Sequence, residues 1–80
     1  MNLKQVILVQ NVSGQFDTYS HDGLEITLNS GTPFYLPCTC CDDVVPGSIR
    51  LHPTKGYFFV SSDLSSLEML ENGLEGFIEV

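Results

Sequence analysis

Turn signals recur every eight to twelve residues along much of this chain, with short runs of strand-like sequence between them. Asn11 to Gly14, Ser20 to Gly23, Asn29 to Gly31, Pro53 to Gly56 and Asn72-Gly73 are the clearest. Asp22-Gly23 supplies the positive φ that primed hairpin turns need. Such spacing points to one small, mainly β domain over residues 1–80. The expected architecture is an antiparallel β-sandwich or barrel.

The stretch Lys4 to Gly14, a strand stopped by the turn chemistry of Asn11, Ser13 and Gly14, is unusual among these runs. Val6, Ile7, Leu8 and Val9 are all apolar, whereas a strand with one wet face should alternate. Either both faces of this strand are covered within the domain, or one is covered by another molecule. Tyr57 to Ser61 poses the same question.

The remaining segments read in order. In Gln15 to Tyr19, Phe16 and Thr18 share one face and Asp17 and Tyr19 the other. Leu24 to Leu28 alternates cleanly, with Leu24, Ile26 and Leu28 expected inward. Thr32 to Pro37 is bounded by prolines and is placed at an edge or a crossing between sheets, with Phe34 and Leu36 buried. Cys38 to Gly47 reads as a loop, and Ser48 to His52 as a strand with Ile49 and Leu51 inward. From Ser62 the pattern changes. A cap at Ser62 or Asp63, capping-box spacing between Ser65 and Glu68, and Leu64, Leu67 and Leu70 at helical intervals predict one short helix before the C-terminal strand. In that closing strand, Leu74, Gly76, Ile78 and Val80 fall on one face.

Size and charge bound the function. A domain of 80 residues buries only about 60–65% of its unfolded surface, so oligomerisation is expected to help it. Ten acidic residues against Lys4, Arg50 and Lys55 give a formal charge of −7. With no basic cluster, binding to a nucleic-acid backbone or an anionic membrane is not expected. The four-residue apolar run near the start fits no signal peptide, so synthesis in a cytoplasm is expected.

Cys38, Cys40 and Cys41 are the obvious chemical candidates. Their C-x-C-C spacing departs from the C-x₂₋₄-C pairs of zinc sites, even with His21 or His52 available as a fourth ligand. Asp42 and Asp43 would raise a thiol pKa and work against a nucleophile. The pair also lacks the register of a calcium loop. No phosphate-binding, hydrolase or metalloprotease motif occurs. The expectation is therefore a non-enzymatic protein with no metal and no cofactor. The aromatic residues lack the basic neighbours that base stacking would need, so core or protein interface is the better account of them. Ile7, Val9, Tyr57, Phe59 and Phe77 are the candidate protein interface.

Val9-Gln10-Asn11-Val12-Ser13-Gly14 resembles the strand and turn that open many small structural proteins of tailed bacteriophages. Gly31-Thr32-Pro33-Phe34-Tyr35-Leu36-Pro37 resembles the strand that often follows. Ser62-Asp63-Leu64 through Gly73-Leu74 to Ile78-Glu79-Val80 is similar to their closing segment. The resemblance covers about half the chain and gives Cys38, Cys40 and Cys41 no counterpart. It implies a virion protein, made in the host cytoplasm, that decorates the capsid or serves the head–tail junction. Its implied partners are other virion proteins and further copies of itself. An acidic inhibitor or adaptor for a basic host protein is the alternative from a different class.

Overall fold

A computed structural model of the chain describes residues 2–38 and 43–80. Within them the chain forms eight strands: β1 (Leu3–Gln10), β2 (Phe16–Ser20), β3 (Gly23–Thr27), β4 (Pro33–Pro37), β5 (Val44–His52), β6 (Gly56–Ser61), β7 (Leu67–Met69) and β8 (Glu75–Glu79). All belong to one antiparallel sheet in the order β3-β2-β1-β8-β4-β5-β6-β7. The mainly β expectation holds. The described residues contain neither a second sheet nor a closed barrel, because β3 and β7 are left as separate edges.

This sheet is rolled. The N–H of Leu28 donates to the carbonyl of Phe16 on β2 at 2.8 Å, and that of Gly31 to Ile49 on β5 at 2.7 Å. Strands β2 and β5 stand four places apart in the sheet. That is roughly 19 Å if the sheet were flat, at ~4.8 Å per strand. Three residues of chain span at most roughly 11 Å. The connection between β7 and β8 repeats the constraint. Leu70 N–H reaches Tyr57 on β6 at 3.4 Å, and Gly73 N–H reaches Leu8 on β1 at 2.8 Å. Rolling lets the sheet cover itself, so Leu8, Leu28, Phe34 and Ile49 are 0% exposed with no other layer to bury them.

The inner face carries one contiguous core from Val6, Leu8 and Phe16 through Phe34 and Ile78 to Ile49, Phe59 and Leu70. Phe34 and Phe59 meet edge to face, with ring centroids 6.3 Å apart. Both rings lie over glycines, Phe34 over Gly76 and Phe59 over Gly47. Thr18 and Ser61 are the buried polar side chains among the described residues, and each has a structural task. The Thr18 hydroxyl donates to the Ile26 carbonyl at 2.8 Å and accepts the Ile26 N–H at 3.0 Å. It thereby holds a β-bulge in which β3 carries one more residue than β2 between the pairs Asp17–Thr27 and Tyr19–Leu24.

Five expectations are corrected, the first being Leu51, which is exposed near the end of its hairpin rather than inward. The helix is absent, since Ser61 to Ser66 forms a tight loop and Leu67–Met69 pairs with β6 as a strand. Asp63 Oδ1 there accepts from Ser61 Oγ at 2.7 Å, Ser65 N at 3.0 Å and Ser65 Oγ at 2.6 Å. Those bonds offer the backbone a local alternative to the helix. The bulge turns Leu24 outward beside Tyr19 and leaves Ile26 exposed, because one added residue reverses which face a side chain meets. Residues 44–47 are strand rather than loop, paired with β4. Finally, β4 lies inside the sheet rather than at an edge, although a single register pair, Tyr35–Phe77, joins it to β8.

Candidate protein-docking face

Strand β1 answers the question its sequence poses. Val6 and Leu8 are buried in the core, while Ile7 and Val9 are 45% and 44% exposed on the opposite face. The register assembles a surface around them. Tyr19 on β2 stands opposite Ile7, and Leu24 on β3 stands opposite Tyr19. Both are exposed, as are Leu3 and Ile26. The row therefore crosses three strands without a covering layer. A shallow depression of about 580 Å³ lies within it, lined by Gln5, Ile7, Val9, Tyr19, Ser20 and His21 along with Val6.

Of the five interface residues expected from the sequence, three share this side of the sheet. Ile7 and Val9 lie in the row, and Phe77 pairs with Gln5 of β1 and is half-buried. Phe59 does not belong to a surface. It is 1% exposed, pairs with Ile49 and packs over Gly47. Tyr57 is half-buried and packs against the core. The Tyr57 to Val60 run alternates after all, turning Phe58 and Val60 outward, half-buried, beside the exposed Met69 and Leu67 of β7.

Tyr19 and Leu24 were not among the expected interface residues. The outward direction of Tyr19 follows from its alternation with Phe16 and Thr18. Leu24 depends on the bulge, which no local residue pattern announces.

Carboxylates border the apolar row. Glu75 and Glu79 of β8 stand opposite Ile7 and Leu3, and Asp17 of β2 opposite Val9. Two of the three are held in place. Asp17 Oδ1 accepts from Thr27 Oγ1 at 2.6 Å and Asn11 Nδ2 at 3.2 Å, and Glu79 accepts from the Tyr35 hydroxyl. That hydrogen bond to Glu79, together with burial, raises the Tyr35 pKa above its ordinary value.

The nearby cation is already engaged. Lys4 Nζ lies 2.8 Å from Asp22 Oδ2 and 2.9 Å from Glu25 Oε2. Its hydrogen bonds to Asp22 and Glu25 raise its pKa. They also lower that of Asp22, whereas Glu25 is lowered first by the Ser20 hydroxyl and then by Lys4.

A second hollow of about 420 Å³ lies near residues 36–38, lined among others by Leu36, Cys38, Val45 and Glu68. Cys40, Cys41 and Asp42 lie outside the described residues, and the C-x-C-C spacing with them. Among the described residues, no three His, Cys, Asp or Glu side chains are grouped to hold a metal ion. No helix among the described residues is long and apolar enough to cross a membrane. Comparison with protein-family models, with curated proteins and with solved structures finds no match to the chain.

Proposed function

We propose that this chain is a non-enzymatic assembly protein that works by docking another protein onto the outer face of β1, β2 and β3. The observation that carries the reading is the division of β1, whose one row of side chains is core while Ile7 and Val9 lie bare beside Tyr19 and Leu24. A contiguous apolar surface on a small domain is usually covered in use. The resemblance of the opening and closing segments to phage structural proteins supplies the setting. The docked partner is then another virion protein, at the capsid surface or the head–tail junction.

The alternative, an acidic inhibitor or adaptor of a basic host protein, is favoured by the carboxylates at Asp17, Glu75 and Glu79 beside the same face. Both readings use one surface and differ in who occupies it.

Co-expression with the products of adjacent genes, followed by size exclusion with light scattering, tests this. Under the virion reading a structural protein co-elutes with the chain. The double variant Ile7→Asp, Val9→Asp loses it while keeping a thermal midpoint close to wild type. A complex that survives this variant overturns the assignment of the face.

A further inference from the structure

We infer that the partner of this face presents an apolar centre ringed by lysine or arginine, and that the face is not built to receive a second copy of this chain. The inference rests on the docking function proposed above and adds the chemistry of the occupant. The register sets carboxylates on both sides of the apolar row: Glu75 beside Ile7, Glu79 beside Leu3 and Asp17 beside Val9. Tyr35 and Thr27 fix two of these acceptors before any partner arrives. Among the described residues, no cation pairs with these three carboxylates. Lys4 is paired with Asp22 and Glu25, and neither Arg50 on β5 nor Lys55 in the turn after it forms an ion pair with Asp17, Glu75 or Glu79. His21 at the rim already neighbours Asp22, at 3.4 Å.

An isologous dimer through this face would set the patch against itself. Each copy carries a formal charge of −7, so carboxylates would meet carboxylates around an interface from which water is being removed. A partner with cations around an apolar knob reverses the sign of that interaction. The expectation of self-association therefore does not extend to this surface.

Two short amphipathic strand peptides test the idea, one alternating leucine with lysine and the other leucine with glutamate, each titrated into the isotopically labelled full chain. The expected result is saturable perturbation of the Ile7, Val9 and Tyr19 amides by the lysine peptide alone. Its affinity should weaken by about tenfold or more from low to near-molar salt, as exposed charge pairs are screened. The double variant Glu75→Gln, Glu79→Gln should weaken binding by about tenfold, the effect of losing rim charges. Glu68→Gln with Glu71→Gln removes the same charge away from the face and should leave binding within about twofold, the surface electrostatics there being screened.

Equal losses in the two double variants overturn the inference, because bulk charge alone then explains binding. Equal binding of both peptides to the face, or dimerisation of the chain through Ile7 and Val9, also overturns it but leaves the docking function standing. If neither peptide perturbs the face, both readings fall.

Discussion

Phe34 occupies the space that a side chain at Gly76 would need. A Cβ there would lie 2.5 Å from Phe34 Cε2 and 2.9 Å from the carbonyl oxygen of Tyr35. The backbone of Gly76 is not in the left-handed region, so the objection to a larger residue is space alone. Gly76→Ala should destabilise the chain by about 1–3 kcal/mol, the usual cost of overpacking a core. Chemical denaturation measures it, and combining the substitution with Phe34→Leu should recover part of the loss, since the two sites are in contact. Fully additive effects would show that the ring is not the obstacle.

Core and face should separate under truncation. Phe59→Ala removes a fully buried ring and should cost about 3–5 kcal/mol. Ile7→Ser and Val9→Thr act on half-exposed side chains, and each should change stability by no more than about 1 kcal/mol. Thermal or urea unfolding of the three variants checks this. A large loss at Ile7 would mean that the outer face supports the fold itself.

Leu64 adopts a φ of 61° and is 79% exposed, so it bears left-handed backbone strain with little packing in return. A left-handed conformation costs a non-glycine residue about 1–2 kcal/mol. Leu64→Gly should therefore be neutral or stabilising by up to about 1 kcal/mol, once the entropic cost of glycine is subtracted. Unfolding midpoints decide between this and a loss, which would show that Leu64 packs against something.

Hydrogen bonds from the Ser65 and Ser61 hydroxyls and the Ser65 N–H lower the Asp63 pKa from 3.8 to about 2. Between those values the unfolded chain binds the proton that the folded chain refuses. Its stabilisation is thus complete above about pH 4 and lost as pH falls through about 2. Urea midpoints collected from pH 5 downward should fall less steeply in this window for Asp63→Asn than for the wild type.

The sequence was most legible where alternation ran uninterrupted. Phe34, Leu36 and Ile49 point inward as read; Phe16 and Thr18 share a face as read, as do Gly76 and Ile78, and in both pairs it is the inner one. Leu51 shares the parity of Ile49 but lies near the hairpin end and is exposed, so parity alone does not give depth. Leu24 and Ile26 were misplaced because the bulge inserts a residue whose only marker is Thr18, a β-former like any other until its hydroxyl is seen on Ile26. Leu64, Leu67 and Leu70 have helical spacing. The serines around Asp63 bond that carboxylate instead, and β6 offers Leu67–Met69 a strand to join. Half of the face was legible for a simpler reason: an unbroken apolar strand needs both of its rows covered, and the single sheet covers only one of them. The carboxylates beside it required the register between β1 and β8, which joins residues some seventy positions apart.

The placement of β8 also sets an order of events. Strands β1–β2–β3 and β4–β5–β6–β7 are two meanders whose neighbours follow one another in sequence, and each can begin to form as it is synthesised. Strand β8 comes after all of them and lies between β1 and β4. Until it arrives, the inner edges of both meanders are open and Phe34 has no Gly76 to cover. During translation the chain passes through a stage with two incomplete half-sheets and exposed strand edges, the species most prone to pairing with the wrong molecule. Nascent chains halted before residue 75 should show this as protease sensitivity that disappears once β8 has emerged.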